Sequence, residues 1–551
     1  MKPGRIFNLS LTLILALSCI LAFGEGLSGG FLQWDDHVNY VENPYIRDFS
    51  VQSLRWMFTN FLLGVYQPAS WIAAAVEYRV FGLNPMGYHL VSLLFHCIST
   101  VVLYFLVIRL MICGSGRLVE SWDVRLGSAA AAMFFALHPL RVEVVAWISC
   151  QPYAMAGMFS LLSLYAYVRA FNKRTGVSSW KLLGLSAVLY ALACMSKSAA
   201  VTLFPVFVIL DVYPMRRTGF RRGFRGDSGV WIEKLPFALI AVAASCTAVV
   251  AAARGGSFRT VVGDGFLDRV VRISLGFVYP LYKTIMPGDL SPYYAMPADL
   301  SIFQWNNAFG VIILAIISAV IVIFRRRCPV VSAAFAAYLV MLLANSGIVR
   351  YTDLLTADRY SYLSCITMAV LLAAGCIVVL MQERAWLKGV LGITFVVLVL
   401  TLGHMTERQC MVWNNDISLW SHAVEVELDS TVARTNLGVA YMESGRFEQA
   451  RMHLNRAVSL DPNLPDAWLA LGTVYAEQGR YDKARELYGK TLELNPNQAM
   501  AHFNLGLIKE YSGEVRQAVV HYKKALSIAS ENGQYGLAQK IRDRMLLNKS
   551  D

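Results

Sequence analysis

The sequence predicts an all-α protein: a polytopic helical membrane domain of about eleven spans, followed by an α-solenoid of short helical repeats. Three observations predict it. Of 551 residues, 56% are hydrophobic and only 16% are charged, with a mean hydropathy of +0.48. Soluble domains carry roughly 25% charged residues, and so much apolar surface also excludes intrinsic disorder. The net charge of +12 is confined to the apolar part: residues 1–406 hold 32 Lys+Arg against 19 Asp+Glu, and residues 407–551 hold 17 against 18. Finally, a Leu-Gly pair recurs at a spacing of 34 near the C-terminus. Basic residues in short loops between apolar runs suit a bilayer-spanning chain. Nucleic-acid binding, which needs them clustered on a soluble face, is excluded.

Apolar stretches of crossing length, about 17–25 residues, run over 6–23, 88–111, 124–145, 153–171, 180–196, 198–214, 233–253, 307–324, 329–348, 361–381 and 388–405. Loop charge orients them. With Lys2 and Arg5 inside, the inner loops contain Arg109/Arg117/Arg125, Arg169/Lys173/Arg174/Lys181, Arg216 through Lys234, Arg325–Arg327 and Arg384/Lys388. Val270–Met286 is also apolar but carries Arg272, Pro280 and Lys283. Were it to span, the arginine triplet would move outside and the bias would break, so an interfacial or re-entrant segment is expected there. The N-terminus is then cytoplasmic and the C-terminal domain extracytoplasmic. The first stretch reads as an uncleaved anchor, since a length of 18 residues is long for a signal h-region. The ten cysteines form no C-x-x-C pair or zinc spacing and read as buried thiols.

Leu437-Gly438, Leu471-Gly472 and Leu505-Gly506 mark the repeats, with Ala450, Ala484 and Ala518 in the same register and Pro462 and Pro496 closing the first two units. Small residues let paired helices pack closely and Pro stops the second helix, the tetratricopeptide pattern. The predicted domains are 1–406 in the membrane, 407–430 connecting with a partial repeat, and 431–551. The last holds repeats 431–464, 465–498 and 499–532 plus a capping helix.

Four outer-loop places hold candidate chemistry. Trp34-Asp35-Asp36-His37 sets two carboxylates side by side. Neighbouring side chains diverge on a regular backbone, so one is expected to act as a base while the other caps or holds the loop. His138-Pro139-Leu140-Arg141-Val142-Glu143 ends the third span; Lys197 sits between two apolar stretches; Asp358-Arg359-Tyr360 precedes the tenth span, with Arg350 upstream. An ionisable residue between apolar runs is a functional candidate by default. In the eleven-span arrangement all four fall on one side, mixing carboxylates with cations suited to phosphate. No paired-histidine helix spacing suggests a metal, and none is required by the chemistry considered below.

Trp34-Asp35-Asp36-His37-Val38, Phe81-Gly82-Leu83-Asn84-Pro85, His138-Pro139 with Val142-Glu143-Val144-Val145-Ala146-Trp147, and Ala357-Asp358-Arg359-Tyr360 resemble bacterial polytopic tetratricopeptide-repeat membrane proteins. These are similar to the transmembrane and tetratricopeptide-repeat protein O-mannosyltransferases. The resemblance runs through Trp413-Asn414-Asn415 and Leu419-Trp420 into the repeats. It implies a GT-C-type glycosyltransferase of the bacterial inner membrane, taking a mannose-like sugar from a polyprenyl-phosphate carrier to a protein acceptor. It places the base in the first outer loop, at Asp35 or Asp36. One departure bears on donor specificity and activity: after Trp147-Ile148-Ser149, relatives continue with a charged Glu-Arg-Lys-Asp-like stretch, and this chain has Cys150-Gln151-Pro152-Tyr153.

The chemistry expected is an inverting displacement. A carboxylate deprotonates the acceptor hydroxyl, Asp35 first and Asp36 second. Arg359, Lys197, Arg141 and Arg350 hold the donor phosphate, with His138, Glu143, Asp358 and Tyr360 in support. The repeats bind the protein or peptide acceptor. The alternative is a non-catalytic scaffold in the bilayer that recruits envelope proteins through its repeats.

Overall fold

The computed structural model describes residues 3–115, 121–171, 178–218, 228–255, 265–297, 300–346 and 354–547. Lys2, Arg117, Lys173, Arg174, residues 219–227 of the third inner loop, and Arg350 lie outside them. The chain divides into two compact units, one of residues 1–29 and 55–411, the other of 30–54 and 412–551.

The first unit is a polytopic helical membrane domain. Among its described residues, five helices are long and apolar enough to cross a bilayer, Ile6–Ser28, Pro85–Ser115, Gly229–Arg254, Trp305–Phe324 and Ala385–Val412, with mean hydropathies of 2.1 to 2.8. Two further apolar helices are bent, Trp122–Ala136 with Pro139–Ala146 by 59° and Asp358–Ser364 with Ile366–Leu380 by 49°. Trp180–Ser196, Ser198–Val212 and Pro329–Asn345 are shorter apolar helices, and Gln151–Ala170 is a further helix of 20 residues. Each apolar stretch expected from the sequence is thus largely helical over its described residues.

Local chemistry explains the first bend. Pro139 contributes no amide hydrogen, and a residue before proline is pushed out of helical geometry; His138 is extended at φ −78°, ψ 129°. Elsewhere small residues let helices touch. The Ser163 hydroxyl donates to the Ser186 carbonyl at 2.7 Å, and Ser186 returns the bond to the Ser163 carbonyl at 2.8 Å, a polar tie of the kind that holds membrane helices together. Phe266–Ile285, the segment expected to be interfacial, is one amphipathic helix with Pro280 inside it and Arg272 and Lys283 buried. Tyr294–Ala295 and Leu354–Thr356 form a two-stranded antiparallel pair, the second strand ending two residues before Asp358.

In the second unit three helix pairs follow the Asp416–Val426 helix: Thr431–Glu443 with Phe447–Leu460, Pro465–Glu477 with Tyr481–Leu494, and Ala499–Tyr511 with Val515–Glu531. Tyr535–Leu547 closes the array. Gly445, Gly479 and Gly513 turn each first helix into its second at φ near +75°, a left-handed conformation that costs glycine little. The Leu-Gly glycines face the partner helix: a Cβ on Gly472 or Gly506 would come within 2.8 or 2.5 Å of the Tyr488 or Tyr522 ring. Ala450, Ala484 and Ala518 are fully buried.

Candidate active site

The polar cluster of the membrane unit forms just past the break of the first bent helix and at the start of the second. Glu143, just past the first break, meets Arg359 twice. The Arg359 backbone N–H donates to Glu143 Oε2 at 2.6 Å, and the guanidinium Nη1 donates to Oε1. The Arg359 guanidinium also lies over the Trp147 and Tyr360 rings, 5.5 and 5.2 Å from their centroids. Lys197, at the end of Trp180–Ser196, puts its ammonium 4.9 Å from the centroid of Tyr153, whose ring lies 6.5 Å from Tyr360. Arg359, Glu143, Lys197 and Tyr360 thus share one aromatic-walled neighbourhood.

Asp358 is buried beside them. Its Oδ1 accepts the Tyr294 hydroxyl at 2.8 Å, and that hydroxyl oxygen accepts the Ser291 N–H at 2.9 Å. Glu143, Lys283 and Arg141 are its charged neighbours. Arg141 is only 1% exposed, with its guanidinium 5.4 Å from the Phe135 centroid and 5.6 Å from that of Tyr362. Its Nε and Nη1 make no hydrogen bond among the described residues. A buried guanidinium with open donors is a receptor for an anionic oxygen. His138 is committed to the backbone: Nε2 donates to the Thr284 carbonyl at 3.0 Å and Nδ1 accepts the Leu140 N–H at 3.3 Å. It shapes the break.

Asp35 and Asp36 belong to the second unit. Asp36 is fully buried, and its Oδ2 accepts the Leu32 N–H at 2.9 Å, closing the turn. Asp35 is part-exposed and stands before the wide helical turn His37–Val41. The segment docks on the Asp416–Val426 helix. Gly30 N–H donates to the Asn414 carbonyl at 3.1 Å, and Gln33 N–H donates to Asp416 Oδ1 at 3.1 Å. Burial pushes the Asp416 carboxyl above its ordinary range, with the Gln33 N–H and His37 pulling back.

Tyr294, Lys283, Tyr153 and Asp416 were not visible as site residues in the sequence; each joins through a long-range contact with no local pattern. Glu77 had a signal, an acid two residues before Arg79 in the alanine-rich Pro68–Phe81 helix. It is 3% exposed, and neither carboxyl oxygen makes a hydrogen bond among the described residues. Burial pushes it up to about 8, against a pull from neighbouring Gln151. Among the described residues, no three His, Cys, Asp or Glu side chains converge as a metal site.

A tetratricopeptide-repeat family model matches residues 441–503, and a second matches 499–532. Over 484 residues the chain is 23% identical to a protein O-mannosyl-transferase of Caenorhabditis elegans, F38B6.6, covering 84% of this chain and 64% of that one. The mouse protein O-mannosyl-transferase TMTC3 is 21% identical over 84% of this chain and 52% of its own. The human TMTC1 is 27% identical over 37% of this chain and 23% of its own. The chain thus spans less than two thirds of the length of these relatives. Among solved structures, ArnT from Cupriavidus metallidurans bound to undecaprenyl phosphate matches 91% of this chain and 81% of that one, at 14% identity and TM-score 0.37. A crystal structure of MamA matches 25% of this chain and 81% of its own at 30% identity and TM-score 0.20. The chain is therefore a multi-pass membrane protein with tetratricopeptide repeats, similar over most of its length to protein O-mannosyl-transferases.

Proposed function

We propose that the chain is a GT-C-type glycosyltransferase that moves a mannose-like sugar from a polyprenyl-phosphate donor to a protein hydroxyl. In this reading it works on the extracytoplasmic face of a bacterial inner membrane, with its N-terminus in the cytoplasm. The observation that carries it is the cluster between the break of the first bent helix and the start of the second. Irregular backbone at membrane depth is tolerated where it lines a polar cavity or is packed in protein, and here it fixes Arg359, Lys197 and Arg141 among aromatic rings.

Each residue has one task. Arg359, held by Glu143 through its own amide and guanidinium, presents a cation in a set pose to the leaving phosphate, which already carries charge and needs no proton. Arg141 and Lys197 add donors, and Arg350 is a further candidate. Asp358 with Tyr294 supports the loop. Asp35 takes the proton from the acceptor hydroxyl as it attacks the anomeric carbon, and the configuration inverts. Asp36 holds the turn that carries Asp35. The scheme routes no step through a metal. The repeats bind the acceptor.

Membranes containing the full chain, supplied with polyprenyl-phosphate mannose bearing a labelled sugar, test this. Label should enter protein, with loss of more than a hundredfold in Asp35→Asn and a comparable loss in Arg359→Gln. Undiminished labelling with both Asp35→Asn and Asp36→Asn in place would take the base role from this loop, and no labelling by the unaltered chain would leave the scaffold reading in its place.

A further inference from the structure

The loop that carries Asp35 is strapped along the repeat array. At its start, Gly30 N–H donates to Asn414, and Gln33 N–H reaches both oxygens of Asp416, Oδ1 at 3.1 Å and Oδ2 at 3.3 Å. The Trp34 ring meets Trp420 edge-on with centroids 5.1 Å apart, and Trp420 is 2% exposed. The turn is then closed from within by Asp36 on the Leu32 N–H. Further on, Tyr45 meets Tyr535 of the last helix edge-on at 5.5 Å. Glu42 presses on Gly536, where a Cβ would come within 2.4 Å of its carboxyl group. One segment therefore contacts both the first and the last helix of the array.

Asp416 is suited to this task. It stands at the first position of its helix, after the Asn415 cap, whose side chain accepts the Ser418 N–H at 3.0 Å. Its backbone is fixed, and its carboxylate is turned to the Gln33 amide two residues before Asp35. A reacting group displaced by about 1 Å loses on the order of a hundredfold in rate. A short loop without a sheet or long helix of its own needs an external anchor to hold that tolerance.

We propose that Asp416 is a positioning residue for the Asp35 carboxylate, so that the repeat array sets the pose of the reactive loop as well as binding protein. This rests on the reading of Asp35 as the base. The test uses the full chain in membranes, polyprenyl-phosphate mannose with labelled sugar, and amide hydrogen exchange over residues 30–41. Asp416→Ala should speed exchange at Gly30 and Gln33 and lower kcat at least tenfold, with the donor KM unchanged. Asp416→Asn, whose Oδ1 still accepts the Gln33 N–H, should restore most of both. Should Asp416→Ala fail to fold, Trp34→Leu, which removes the ring contact with Trp420, should produce the same pair of changes. Faster exchange with kcat unchanged, slower turnover with exchange unchanged, or no recovery in Asp416→Asn overturns the proposal. An unaltered chain that transfers no sugar overturns the reading of function instead, and exchange in Asp416→Ala still decides whether Asp416 holds the loop.

Discussion

Arg359 and Glu143 stand 216 residues apart and meet twice, amide to Oε2 and guanidinium to Oε1. One carboxylate thereby fixes both the backbone and the side chain of the second residue of the second bent helix. Glu143 is 1% exposed, so removing either partner strands a charge in a place that water does not reach. Breaking a buried pair costs roughly 3–5 kcal/mol, while replacing both partners costs far less. Glu143→Gln and Arg359→Gln should each lower the thermal midpoint in detergent sharply. The double variant should fall well short of their sum, and a double-mutant cycle measures the difference. An additive pair would mean that the two groups are not coupled.

Glu77 makes stability depend on pH in the direction opposite to an ordinary salt-bridged acid. Its folded pKa is raised to about 8 by burial, against about 4.3 in an unfolded chain. The folded state therefore keeps a proton that the unfolded state releases, and stability falls as pH rises from about 4.5 through 8. Thermal midpoints taken from pH 5 to pH 8.5 should decline in the unaltered protein. In Glu77→Gln, which keeps the shape without the charge, the decline should be shallower and the midpoint at pH 8.5 higher. A parallel decline in both would assign the pH dependence to other groups.

How far the sequence reached follows from which forces are local. Helical stretches are legible because hydropathy is summed over one segment, and each of the eleven is largely helical over its described residues. The His138-Pro139 break is legible because proline acts on its own neighbours. Partnership is not local: nothing near Glu143 announces Arg359, and nothing near Asp358 announces Tyr294. The expectation that one of two adjacent acids holds its loop fits Asp36, which is buried on the Leu32 N–H. The anchoring of that loop on Asp416 had no signal in spacing or composition, because an amide-to-carboxylate bond across 383 residues leaves none.

Tyr167, Asp211, Arg217, Glu233 and Lys234 form a polar knot in the membrane unit, with Arg217 also donating to the Ser178 hydroxyl at 3.0 Å. Asp211 takes Arg217 at 3.3 Å through one oxygen, and Lys234 at 2.5 Å and the Tyr167 hydroxyl at 2.8 Å through the other. Among the described residues, Glu233 pairs with Arg217. Asp211 is the hub, with two cations depending on it. Asp211→Asn should destabilise by about 3–5 kcal/mol. Glu233→Gln should cost less, since Arg217 keeps Asp211. Equal losses in thermal unfolding would argue against a hub.

One position in each repeat makes the same bond with a different side chain. Arg434, Trp468 and His502 stand 34 residues apart and donate to the carbonyls of Leu428, Pro462 and Pro496 at 2.8, 2.8 and 3.2 Å. Only the third can titrate. With Nε2–H given to Pro496, His502 Nδ1 is left to face His521 Nδ1 at 3.2 Å. Burial lowers both histidines, and Lys524 adds to it for both and Lys509 for His521. The unfolded chain then binds protons that the folded one refuses, so this contribution is complete above about pH 6.5 and is lost as pH falls below it. In the full chain, hydrogen exchange over 499–531 should accelerate between pH 7 and pH 5, after correction for the intrinsic rate, more than over 465–494. His502→Trp copies the second repeat, keeps an N–H for Pro496 and removes one of the two titrating rings. It should flatten the difference, whereas an unchanged pH response would place the acid sensitivity outside this pair.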